Sequence, residues 1–182
     1  MAKKKASFLK PLLFALVSAI LLVMFFLPTA SVGAEVAGTS IGGKTNFSGL
    51  DSMIALFSDK ASTDMSAGVA AAYTMKSADA TSASFGTAAT CWFILAIVSA
   101  VTLVLSVLAM FSKKKKVLFG KLFGLAMLVL SLVILISTIA MISQWNGQAL
   151  VGSVTKAAIH MGSIVAFVFG LAGAGVTFAL KK

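Results

Sequence analysis

Hydrophobic positions along this chain gather into four long runs, and the polar breaks between them are short except for the first. Residues 11–27, 88–111, 117–142 and 157–180 carry almost no charge. A bilayer core about 30 Å thick takes roughly 20 helical residues to cross. The last three runs have that length outright. The first, "PLLFALVSAILLVMFFL", is shorter but can add Phe8 and Leu9 while Lys10 reaches outward along its aliphatic stem. The pattern predicts an all-α membrane protein, a four-helix transmembrane bundle.

The one long break, residues 28–87, has an organisation of its own. Its opening, "SVGAEVAGTSIGGKTNFSG", mixes Val, Thr and Ser with a Gly42-Gly43 turn signal, which predicts a short β-hairpin. In "SGLDSMIALFSD", Ser48 followed three residues later by Asp51 has the form of a capping box. Leu50, Met53, Ile54 and Phe57 then recur at helical spacing and form one apolar face, expected to meet a partner. Asp64 is placed to cap a second short helix through Lys76, and the small polar residues 77–90 read as a flexible or low-complexity lead into the second run. Residues 1–10 form a basic N-terminus, 112–116 a lysine hairpin, 143–156 a second short loop, and 181–182 a basic C-terminus.

Charge supplies the orientation. Of 182 residues, 59% are apolar and only 11% charged, and the net charge of +10 is all lysine, with no arginine. Lys3, Lys4, Lys5, Lys10, Lys113 to Lys116, Lys121, Lys181 and Lys182 flank one set of run ends. Only Lys44, Lys60, Lys76 and Lys156 flank the other. The positive-inside asymmetry predicts a multi-pass protein of the cell membrane with both termini cytoplasmic and residues 28–87 outside. Lysines clustered at the ends of apolar runs, without the planar fork of arginine, do not suggest a nucleic-acid partner. A second reading of the start stays open. "MAKKKASFLK" with its apolar core, and Val32 and Ala34 as small cleavage-site residues, also fits a signal peptide.

"GTSIGGKT", Gly38 to Thr45, matches the phosphate-loop pattern letter for letter. Such a loop works only after a buried strand and at the start of a helix, and neither context surrounds it here. A nucleotide is therefore not an expected partner. "NFS" at Asn46–Ser48 is an acceptor sequon for N-glycosylation and falls on the predicted outer side. Cys91 and His160, each single in the chain, are too few for a metal site, and Trp92 and Trp145 sit where interfacial anchors would. The middles of the runs hold no Asp, Glu, Arg or His, the groups that mark ion pathways and proton relays. Neither an enzyme, a cofactor nor a metal is expected.

Packing chemistry is abundant instead. Ala158, Gly162, Ala166, Gly170 and Ala174 recur every fourth residue in the last run, and Gly120 and Gly124 repeat the spacing in the third. Rows of small residues let helix backbones approach closely in lipid, where apolar side chains gain little by preferring protein to acyl chains. They are expected to serve packing within one bundle, a second copy of the chain, or another membrane protein. Ser and Thr in the second and third runs could bond across helices or line a pore. Four helices, a tiny inner loop and a large first outer loop resemble the claudin-like and tetraspanin-like layout. The Gly-Leu-Trp signature and loop cysteines of those families are absent, so the resemblance implies topology alone. The expected role is a small non-enzymatic scaffold or accessory subunit. The alternative is a subunit of an oligomeric channel or transport complex.

Overall fold

The computed structural model describes residues 8–36, 39–40, 43–60, 62–112, 117, 119–147 and 154–179. Helix α1 spans Leu9–Phe26, followed by strands β1 (Pro28–Val36), β2 (Thr39–Ser40) and β3 (Thr45–Ser48). Helices α2 (Gly49–Phe57), α3 (Ala67–Ser77), α4 (Ser82–Phe111) and α5 (Gly120–Gly147) come next, then β4 (Val154–Ile159) and α6 (Met161–Ala179). Helices α1, α4, α5 and α6 are each long and apolar enough to cross a membrane.

These four form a closed ring in which α1 and α5 each pack against α4 and α6. Neighbours run antiparallel. Phe25 meets Trp92 between α1 and α4 with ring centroids 6.3 Å apart, and Ser84 of α4 donates to Gln144 Oε1 of α5 at 2.9 Å. The interior holds Phe14, Val17, Leu21, Trp92, Leu95, Met127, Ile134 and Ala166, all buried. Outward faces carry Leu16, Val23, Ile97, Val104, Leu108, Val129, Ile136, Val168 and Leu171, all exposed. Apolar residues thus lie on both sides of each helix, so the helices show no water-facing stripe.

Helix lengths explain the second layer. Helix α4 has 30 residues and α5 has 28, so at 1.5 Å per residue each is over 40 Å long, against a bilayer core of about 30 Å. Their excess turns rise past α1 and α6 into a cap made of the sheet, α2 and α3. Residues 82–90, which read as low-complexity sequence, are the first turns of α4. They are ordered because Phe85 and Ala89 enter the cap core with Ala30, Phe47, Ala55, Val69, Ala72, Met75, Met141 and Ala157.

The predicted hairpin exists in a different form. β1 is the central strand, and β2 and β3 lie in succession along one of its edges. Glu35 pairs with Ser40 and Val36 with Thr39, then Val32 with Thr45 and Ala30 with Phe47. The reversal falls between Val36 and Thr39, ahead of the Gly42-Gly43 signal, and Gly42 itself lies outside the described residues. The opposite edge is taken by β4, from Glu35 opposite Val154 to Ala30 opposite Ile159. The loop expected to be a plain connector therefore contributes a strand. Helix α6 starts at Met161, and Ala157, Ala158 and Ile159 belong to β4. Backbone hydrogen bonding to β1 wins over the helical pattern read from their small side chains, and His160 continues the ladder by donating its backbone N–H to the Thr29 carbonyl at 2.9 Å.

Candidate functional site

The residues singled out from sequence divide between two places, the α5–α6 seam and the cap. In the seam, glycine removes side-chain volume where backbones meet. A methyl group added at Gly170 would collide with Ser131 Oγ and lie 2.8 Å from the Met127 carbonyl oxygen. One at Gly124 would collide with Thr177 Oγ1 and lie 2.9 Å from the Gly173 carbonyl. Ala166 and Ala174 are buried on the same side of α6. Gly162 faces elsewhere: a methyl there would sit 2.5 Å from the Pro28 carbonyl, at the α1–β1 junction. Gly120 has room, its nearest neighbours being Val117 and Phe14 at 3.4 and 3.5 Å from an added methyl. Ala158 lies in β4, so it is not part of a helical row at all. Gly173, outside the four-residue row, opposes Gly124 across the seam and approaches Val17 of α1. The run Gly173-Ala174-Gly175 carried the signal without saying which residue faces inward.

Hydroxyls accompany these glycines. Thr102, Ser131, Thr138 and Thr177 donate to carbonyls three or four residues earlier, and Thr177 also reaches the Gly120 carbonyl of α5 at 3.4 Å. Ser18, Ser99, Thr102, Ser106 and Ser131 are fully buried between helices of one chain. Among the described residues the hydroxyls of Ser18, Ser99 and Ser106 have no hydrogen-bond partner.

The cap is pinned by polar contacts to the backbone. Ser48 Oγ accepts from the Asp51 N–H at 3.1 Å, while the Asp51 carboxylate accepts from the Ser48 N–H at 2.8 Å, a complete capping box at the start of α2. At the other end of α2, Lys76 Nζ donates to the carbonyls of Leu56 and Ser58 at 2.9 and 2.6 Å, a cation on a helix C-terminus. The N-cap of α3 is Ser66, whose hydroxyl accepts from the Val69 N–H at 3.3 Å. Asp64, expected in that role, is exposed two residues upstream. Asn146 at the end of α5 both donates to the Ala157 carbonyl, at 3.0 Å, and accepts from the Ala157 N–H, at 2.8 Å. It thereby completes the outer edge of β4 at that residue. No sequence pattern marked Lys76 or Asn146, because both bonds join segments distant in the chain or defined only by the fold.

The apolar face of α2 splits. Leu50 and Met53 pack against the bundle core, whereas Ile54 and Phe57 are 41% and 68% exposed. Trp92 is buried against Phe25 and is not a surface anchor; Trp145 is half-buried beside the cap core. Lys44 and Gly43 are exposed, and Thr45 opens strand β3 rather than a helix, so the helix N-terminus on which a phosphate loop depends is not formed there. In the sequon, Asn46 is exposed while the Ser48 hydroxyl is committed to Asp51. Among the described residues, no three His, Cys, Asp or Glu side chains gather as metal ligands would. Comparison with protein families, with curated proteins and with solved structures finds no match for this chain.

Proposed function

We propose that the chain is a small non-enzymatic integral membrane protein whose cap is an interaction module. In this reading the four apolar helices span the bilayer, the lysine-rich end faces the cytoplasm, and the cap faces outside. The observation that carries it is the construction of the cap. Strands from both loops share one sheet, each end of α2 is capped by a side chain, and nine-tenths-buried aromatics fill the space beneath. Loops that only connect spans have no need of such order; a fixed surface presented to a partner does. The surface it presents includes the outward face of α3, with Ala70, Thr74 and Ser77 exposed, and the exposed Asp59, Lys60 and Asp64. The burial of the bundle hydroxyls within one chain weighs against the alternative of a pore subunit.

A photo-crosslinking residue at Thr74 in intact cells, paired with intact mass in mild detergent, tests the proposal. The expected result is a crosslink to a different protein from Thr74 and none from the exposed bundle residue Leu171. A defined ring of identical chains that conducts ions, with no heterologous crosslink, would replace the interaction reading with the channel one.

A further inference from the structure

The exposed edge of α2 needs an occupant, and its position names one. Gly49, the first residue of α2, is so close to the bundle that an added methyl would lie 3.0 Å from the Trp92 ring and 2.9 Å from that of Phe25. Phe57, the last residue of α2, meets Phe93 edge to face with centroids 6.0 Å apart and planes at 81°. The two ends of a nine-residue helix therefore touch consecutive residues of α4. A helix running along α4 would instead spread these contacts over several turns, since it rises 1.5 Å per residue. Helix α2 crosses α4, and so lies across the bundle axis at the level of Phe25 and Trp92, where α1 ends.

Below that level the outward side of α4 is a continuous apolar column: Phe93, Ile94, Ile97, Val101, Val104 and Leu108 are all exposed. Phe57 and Ile54 extend this column sideways at its upper rim. Immediately beyond α2 the chain turns polar, with Asp59 and Lys60 exposed. The orientation is also fixed, since Lys76 Nζ holds the C-terminal carbonyls of α2, and the Tyr73 hydroxyl donates to the Asp59 carbonyl at 3.1 Å. We infer that α2 is an interfacial helix: its Leu50–Met53 side packs on the bundle, and its Ile54–Phe57 edge is immersed at the boundary between acyl chains and headgroups of the outer leaflet. An amphipathic helix in the interface plane buries its apolar side about 5–10 Å into that boundary. Aromatic rings are favoured at the same depth. The edge is thus a lipid contact that fixes how deeply the cap sits, and the outward face of α3 is left to a partner. This inference rests on the membrane reading proposed above.

Spin labelling separates the two claims. In a Cys91→Ala background, nitroxide labels are placed through Phe57→Cys, Ile54→Cys, Val104→Cys or Asp64→Cys in the full chain. The protein is reconstituted in vesicles of phosphatidylcholine and phosphatidylglycerol. Collision rates with oxygen, which partitions into lipid, and with a water-soluble nickel chelate are then measured. The expected result is a nickel rate at 57 several-fold below that at 64, an oxygen rate above that at 64, and a depth shallower than at 104. The label at 54 covers the case in which the substitution at 57 disturbs the fold. Ready nickel access at both 54 and 57, with 104 still lipid-facing, would overturn the inference and leave the membrane reading intact. Low rates with both reagents plus dipolar broadening would overturn it in favour of a second copy covering the edge. Nickel access at 104 would overturn the membrane reading itself.

Discussion

The α5–α6 seam and the cap are held together by opposite means. The seam works by subtraction: Gly124, Gly170 and Gly173 remove side chains so that one helix backbone rests on the other, and the Ser131 and Thr177 hydroxyls bond back to their own helices, with Thr177 also reaching Gly120 across the seam. The cap works by addition. Side chains are placed to meet specific backbone groups: Asp51 on the Ser48 N–H, Lys76 on two carbonyls, Asn146 on both polar groups of Ala157. The contrast follows from the solvent each region is suited to. In lipid, burial of apolar side chains gives little net preference for protein contact, so close packing decides association. Near water, every backbone group not engaged in secondary structure has a competing partner, and an edge or helix end needs a designated one to be fixed.

The largest effect that would break this contrast is overpacking the seam. Gly170→Leu brings a branched side chain to a place where a methyl already collides with Ser131. Overpacking typically costs about 1–3 kcal/mol and occasionally more, and the upper part of that range is expected. The neighbouring Leu171→Ala, at an exposed position, is expected to stay within about 0.5 kcal/mol of the parent. Thermal unfolding in mild detergent compares the two. A Gly170→Leu protein that melts with the parent would show that the helices are not in close contact.

A smaller and more local effect is expected in the cap. Asn146→Ala removes two hydrogen bonds to Ala157, each with a net contribution of about 0.5–1.5 kcal/mol. Amide exchange across β4 should accelerate while the middles of α5 and α6 keep their protection. Uniform acceleration throughout would mean that cap and bundle unfold as one unit, and the two-region description would fail. Asp51→Ala is expected to give a comparable or slightly smaller loss, about 0.5–2 kcal/mol as for other caps. Its mark should be faster proteolysis between residues 58 and 66, with bundle melting unchanged.

What could be read ahead of the structure follows the range of each interaction. The four long helices announce themselves because charge-free runs of their length are rare. The Ser48–Asp51 cap is equally plain, since both halves lie within one turn. The seam was half legible: Gly124, Ala166, Gly170 and Ala174 sit where backbones crowd, but Gly120 has room, Gly162 faces Pro28, and Ala158 is in a strand. Small residues record that something approaches closely without recording what. β4 was invisible, because "VTKAAI" resembles a helix as much as a strand and only β1, more than a hundred residues earlier, decides the matter. Asn146 and Lys76 are hidden for the same reason. Their partners are backbone groups, which leave no residue type to search for.

The most direct test of the account is which side of the membrane each end occupies. In a Cys91→Ala background, single cysteines at Lys60, in the cap, and at Lys114, in the lysine hairpin, are exposed to a membrane-impermeant thiol reagent in intact cells and again after permeabilisation. The cysteine at 60 is expected to react in intact cells, and the one at 114 only once the membrane is opened. Labelling at 114 and protection at 60 in intact cells would place the cap in the cytoplasm and contradict the proposed orientation.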